Sequence, residues 1–123
     1  MKRIAIIGSR TINNYEALKE LLAGVQADQV VSGGAKGVDS LAARWAEENR
    51  AALIVARPDY KGTANKRYAP LLRNMAIVEL AQVVYALWDG KSSGTKWAID
   101  YALGKGKEVH IKTLGNPAQT SLF

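Results

Sequence analysis

Residues Ser32 to Ala46 read SGGAKGVDSLAARWA, and this stretch decides the fold. Just before it lies the short β-branched run Gln29-Val30-Val31. Ser32-Gly33-Gly34-Ala35 is small and flexible; Lys36, Gly37 and Asp39 follow, and Leu41, Ala42, Trp45 and Ala46 then recur on one side of a helix. The order is strand, glycine turn, helix. Glycine lets a backbone turn at positive φ and approach a ligand closely. The free N–H groups of a helix's first turn, together with the helix dipole, favour an anion there. Lys36 adds a positive charge. Phosphate or nucleotide binding is one reading; an ordinary βα turn is the other.

Working outward, the same alternation repeats. Arg3–Ile7 (RIAII) has the length and β-branching of a buried strand and closes on Gly8-Ser9-Arg10. Asn13 or Asn14 caps a helix running to about Gly24, with Tyr15, Leu18, Leu21 and Leu22 at helical spacing. The helix that follows Gly37 ends near Asn49, and ALIVA at 52–56 is a third strand. Residues 57–66 are polar, hold Pro58 and Gly62, and form a loop. A helix from Lys66 or Pro70 runs to Leu80, since proline is tolerated in a first turn. QVVYALW at 82–88 is a fourth strand, Asp89–Gly94 a second glycine-bearing turn, and Thr95 opens a helix that stops at Gly104. Glu108–Lys112 is a fifth strand. The expectation is an α/β fold: a three-layer α/β/α Rossmann-like domain on a parallel sheet of about five strands. Residues 1–113 form the domain and 114–123 a flexible C-terminal tail.

Composition narrows the function classes. The chain has 123 residues, 48% of them hydrophobic, enough for one core. No run approaches the roughly 18 apolar residues of a membrane span. Met1-Lys2-Arg3 leads straight into a strand without the apolar stretch of a signal peptide. No cysteine means no disulfide and no thiolate metal site; a cytoplasmic location is the default. The lone histidine, His110, sits in a strand pattern and reads as structural, so no metal site is expected. The net charge of +6 suits nucleic acid or small anions as partners. Its densest patch is Arg57, Lys61, Lys66, Arg67 and Arg73, which also reads as solvated surface.

In parallel sheets ligands bind beyond the carboxyl ends of strands, at the topological switch point. Three polar, glycine-bearing loops follow strands here: Gly8-Ser9-Arg10, Ser32–Asp39 and Asp89–Thr95. Arg10 reaches a phosphate or simply faces solvent. Ser93-Gly94-Thr95 holds an anion through backbone N–H groups and a hydroxyl, or Thr95 caps its helix. Arg73, beside Asn74, suits planar, bidentate recognition of phosphate. Asp39 and Asp89 are the acidic candidates for a ribose hydroxyl, with capping the alternative for Asp39. Of the three tryptophans, Trp45 and Trp97 read as core, and Trp88, at a strand's carboxyl end, is the candidate for stacking on a base.

Taken together, Gly8-Ser9-Arg10, SGGAKGVDSLAARWA, Arg73-Asn74 and Ser93-Gly94-Thr95 resemble the SLOG superfamily. That group includes the Rossmann-like domain of DNA-processing protein A (Smf), the LOG phosphoribohydrolases and small stand-alone YspA-like bacterial and phage proteins. The resemblance spans about residues 1–112. It implies a nucleotide-derived ligand, no required cofactor, a homodimer, and a sensor or accessory role in bacterial or phage nucleic-acid metabolism. Ligand-binding residues would be Gly8, Ser9, Arg10, Ser32, Gly33, Gly34, Lys36, Gly37, Asp39, Arg73, Asn74, Asp89, Ser93, Gly94 and Thr95. LOG enzymes carry a PGGxGTxxE motif with a catalytic glutamate; here KSSGTKWA puts Ala98 at that position. Asp100 points roughly 200° away around the helix, and Glu79 sits in another helix. Binding is therefore favoured over LOG-type cleavage, with a phosphoribohydrolase using a non-standard carboxylate as an alternative. The resemblance to DNA-processing protein A offers another alternative, a single-stranded DNA-binding accessory protein.

The last five residues, Gln119-Thr120-Ser121-Leu122-Phe123, resemble the bacterial sliding-clamp-binding pentapeptide, close to QL[S/D]LF. Gln119, Ser121, Leu122 and Phe123 match, and Thr120 replaces the usual leucine. Leu122 and Phe123 would enter an apolar groove and Gln119 would hydrogen-bond. A free tail loses entropy on ordering, so the affinity would be modest.

Overall fold

A computed structural model describes residues 1–115; the pentapeptide 119–123 lies outside them. Five parallel strands form one sheet: β1 (Arg3–Gly8), β2 (Gln29–Ser32), β3 (Ala52–Val55), β4 (Val83–Trp88) and β5 (Glu108–Thr113). Their spatial order is β3-β2-β1-β4-β5. Ile4 pairs with Val30 on one side and Val83 on the other, and Val84 pairs with Val109. Four helices connect them: α1 (Tyr15–Leu21), α2 (Val38–Glu48), α3 (Ala69–Leu80) and α4 (Ser93–Gly104).

Alternation along the central strands sets the layers. Ile4, Ile6, Val30, Tyr85 and Leu87 turn to one face and pack with Tyr15 and Leu18 of α1 and with Val38, Ala42, Trp45 and Ala46 of α2. Ala5, Ile7, Val31, Val84 and Ala86 turn to the other, against Ile77 and Val78 of α3 and Ala98, Ile99 and Ala102 of α4. Ile4, Ala5, Ile6, Val30, Val31, Val84, Ala86 and Leu87 are fully buried. The sheet is therefore covered on both faces, the three-layer Rossmann-like arrangement expected of near-continuous apolar strands.

The elements start and stop where local chemistry says they should. The Asn14 side chain accepts the Ala17 N–H at 3.1 Å and caps α1. Pro70 sits in the first turn of α3, preceded by a single 3-10 turn at Lys66–Tyr68. Two helix boundaries move: α1 ends at Leu21 and not near Gly24, and α4 starts at Ser93, so Thr95 lies inside its first turn and does not open it. Leu114, assigned to the tail by sequence, donates its N–H to Trp88 O at 2.7 Å and packs on the α1/α2 side. His110 stacks on Tyr85 with ring centroids 5.0 Å apart and pairs with Glu108, a structural placement. Among the described residues no helix is long and apolar enough to cross a membrane.

The topology fixes where a site can form. From β1 the chain steps outward through β2 to β3, then returns past β1 to β4. The loops after β1 and β4 diverge to opposite faces, and a crevice opens between them beyond the strands' carboxyl ends.

Candidate functional site

A cavity of about 410 Å³ occupies that crevice. It lies near the lower end of the 300–1,000 Å³ or so typical of small-molecule sites. Four segments contribute to its wall: the end of β1 with Arg10 and Thr11 beyond it, Gly33, Ala35 and Asp39 after β2, the face of α3 from Pro70 to Ile77, and the start of α4. Of the residues singled out by sequence, Gly8, Arg10, Gly33, Asp39, Arg73, Asn74, Ser93, Gly94 and Thr95 line it together.

The inner wall is built around Gly33. Arg73 reaches across from α3 and donates from Nη1 to Gly33 O at 2.9 Å. Its Nε donates to Asn74 Oδ1 at 2.8 Å, which holds the guanidinium plane. From α2, Asp39 Oδ2 accepts the Ala35 N–H at 3.0 Å. A Cβ on Gly33 would lie 2.5 Å from Arg73 Nη1 and 2.9 Å from Asp39 Oδ2. Both side chains thus press on the one position that carries no side chain. Yet among the described residues they do not close into an ion pair within 4.0 Å.

The charges here are expensive to bury. Desolvation raises the Asp39 carboxyl above its ordinary value; the Ala35 and Gly33 amides and the Arg73 and Arg10 charges offset only part of it. Desolvation likewise lowers Arg73, partly offset by Asp39, with Arg10 adding repulsion. Arg73 remains charged at neutral pH, as arginine does in proteins. Arg10 is exposed at the rim and makes no ion pair among the described residues.

The α4 end is open by construction. Ser92 holds the N-cap position but makes no side-chain cap bond. Its hydroxyl instead bonds Ser9 Oγ at 3.0 Å and Asp89 Oδ2 at 3.1 Å. The amino terminus of α4 therefore has no side-chain cap where it meets the cavity, and Ser93 and Gly94 are exposed there. Thr95, 8% exposed, contributes to the wall below. Ile7, Pro70, Leu71, Ile77 and Ala98 make an apolar floor.

Seven sequence-derived candidates do not line this cavity. Ser9 is buried and ties the two switch-point loops together: its Oγ accepts the Asp89 N–H at 3.0 Å. Asp89 is spent on its own turn, accepting the Lys91 and Ser92 N–H groups at 2.8 and 2.7 Å. Burial would raise its carboxyl, but those amides and the Ser92 and Ser9 hydroxyls outweigh it and bring it down to about 2. Ser32 is buried at the end of β2, and Lys36 is exposed away from the cavity. Gly34 lies by Val55 and Arg57. Gly37, at φ 69°, lets α2 begin directly against the Ser9–Arg10 backbone; a Cβ there would strike Arg10 O. Trp88, the stacking candidate, donates from Nε1 to Ser92 O at 3.0 Å and braces the loop instead.

The sequence reading missed Ile7, Thr11, Ala35, Pro70, Leu71, Ile77 and Ser92 as wall residues. One signal was present: Pro70, Arg73, Asn74 and Ile77 follow the i, i+3, i+4, i+7 spacing of a single helix face. Ala98 lines the cavity, at the position where the resemblance to LOG enzymes implies a glutamate. Asp100 is exposed and paired with Lys96, and Glu79 bonds Tyr101. Among the described residues no cluster of side chains suits a metal ion.

Comparison with known proteins bears on the fold and the family. Residues 2–62 match the family model described as YAcAr, the YspA, cpYpsA-related SLOG family. No curated protein matches significantly. The X-ray structure of DNA processing protein A (DprA) from Streptococcus pneumoniae is similar in fold, with a TM-score of 0.76 at 20% identity. The match covers 95% of this chain and 52% of that one, so the chain spans about half the length of that structure.

Proposed function

We propose that this chain, a member of the SLOG superfamily, binds a nucleotide or nucleotide-derived small molecule in the switch-point cavity. The observation that carries the reading is the convergence there of Arg10, Arg73, Asp39 and the uncapped α4 amino terminus. An anion meets two guanidinium groups and helix N–H groups. A planar apolar moiety meets the Ile7, Leu71 and Ile77 floor. Ala98 supplies no carboxylate to stabilise an oxocarbenium-like ribosyl cation, which favours binding, in a sensor or accessory role, over LOG-type cleavage. A thermal-shift screen against mononucleotides, cyclic nucleotides and ADP-ribose tests the reading. A ligand at about 100 times its Kd stabilises by about 2.7 kcal/mol, several degrees for this size. Arg10→Ala should abolish most of that shift.

A second reading rests on the stretch beside the cavity. Arg57, Lys61, Lys66 and Arg67 are interleaved there with Tyr60 and Tyr68, which are 49% and 52% exposed. Cations that follow a backbone and aromatic rings that stack on bases are what single-stranded nucleic acid requires. The structural relative is a DNA processing protein, which supports the same reading. Oligonucleotide affinity that falls steeply with salt is the expected result. The Gln119–Phe123 resemblance adds a tether to a bacterial sliding clamp, tested by comparing clamp binding of the full chain with a chain lacking those residues.

A further inference from the structure

The cavity holds two arginines but one carboxylate, Asp39. Asp89, the other acidic group at this edge of the sheet, has its oxygens taken by the Lys91 and Ser92 amides and the Ser92 and Thr11 hydroxyls. A site made only for an anion gains nothing from a carboxylate, which repels the ligand. Nor does Asp39 serve as a salt-bridge partner: among the described residues it reaches neither Arg10 nor Arg73 within 4.0 Å. It is not a helix cap for α2 either, since its hydrogen bond goes back to Ala35, before the helix begins. An ionised carboxylate has about four acceptor sites, and the backbone amides around it leave some of them for the cavity. What Asp39 lacks is a neutral donor of the right shape.

Resting on the nucleotide reading above, we infer that Asp39 reads the cis-diol of a ribose, so that the ligand is a ribonucleotide. Its carboxylate accepts from the two vicinal hydroxyls while the phosphate lies toward Arg10 and the α4 amino terminus. Asp39 is a specificity-determining residue in this account. A sugar without hydroxyls leaves a desolvated carboxylate unpaired, which costs more than a missing apolar contact. Gly33 is part of the device: a side chain there would strike Arg73 Nη1 and Asp39 Oδ2, so glycine lets both groups keep their places at the cavity wall.

The test is calorimetric titration with the four ribonucleoside 5′-monophosphates and their 2′,3′-dideoxy counterparts. The wild-type chain should prefer the ribose form of its best ligand by about tenfold or more. Asp39→Asn should bring that ratio close to one, with the loss falling on the ribose form. Asp39→Ser serves the same purpose should the asparagine variant fold poorly. Equal wild-type affinity for ribose and dideoxy forms overturns this inference and leaves nucleotide binding intact. A preference that survives both substitutions overturns the role of Asp39. Absence of binding by every nucleotide overturns the underlying reading and this inference with it.

Discussion

Arg73 donates a 2.9 Å hydrogen bond from its guanidinium to the carbonyl oxygen of Gly33, forty residues earlier in the chain. The bond joins α3, on one face of the sheet, to the loop that leads into α2, on the other. It closes the cavity's inner wall across the ends of the central strands and sets the guanidinium where an anion can meet it. Both partners were legible as site candidates in the sequence; their contact was not, because nothing local records a separation of that size.

Gly33→Ala should therefore damage binding more than folding. The new Cβ would lie 2.5 Å from Arg73 Nη1, the mobile end of a long side chain that can swing away. The expected result is a stability loss of about 1 kcal/mol or less and at least a tenfold loss of nucleotide affinity. Gly37→Ala is the contrast, because its φ is 69° and its Cβ would meet Arg10 backbone. About 3 kcal/mol or more should be lost there. Denaturant midpoints and calorimetric titration of both variants check the pair.

Asp39→Asn should separate function from stability. A carboxyl whose folded value lies above its ordinary 3.8 keeps its proton more readily in the folded state. Folding stability from that group is then greatest below the ordinary value and declines as pH rises through the raised one. The asparagine variant lacks that decline and still accepts the Ala35 N–H. Its melting temperature at neutral pH should equal or exceed that of the wild type, and the difference should vanish in acid. A variant markedly less stable at neutral pH would contradict the assignment of burial as the dominant influence on Asp39.

Asp89 should behave the opposite way. Its carboxyl is held down at about 2 by the turn it organises. The stability it contributes is present above its ordinary value of 3.8 and is lost as pH falls from there through about 2. Asp89→Asn should cost about 1–2 kcal/mol at neutral pH. The gap from wild type should narrow in acid melts. Because this loop also carries Ser92, a several-fold loss of nucleotide affinity should accompany it.

The two aspartates show where sequence reading stops. Both follow strands, both are near glycines, and both fit a ribose contact on paper. Asp89 is withdrawn by two amide groups and two serines, an arrangement that depends on how the loop turns back on Ser9. Asp39, in the first turn of α2, accepts the Ala35 N–H and lines the cavity. The strands themselves were readable, since RIAII, ALIVA and QVVYALW are apolar runs of strand length. The placement of β4 beside β1, which creates the crevice, follows from the crossover past β1 and not from any one segment. Lys36 is exposed and does not line the cavity, a placement that no local pattern records.

The most direct test of the cavity as the ligand site is a nucleotide titration followed residue by residue in proton–nitrogen correlation spectra. The account predicts that adenosine 5′-monophosphate, or whichever ribonucleotide binds best, shifts Gly33, Ala35, Ser93, Gly94 and Thr95 together. Arg10→Ala should weaken all five in parallel. Shifts confined to the stretch from Arg57 to Tyr68, with Gly33 and the start of α4 unmoved, would contradict it.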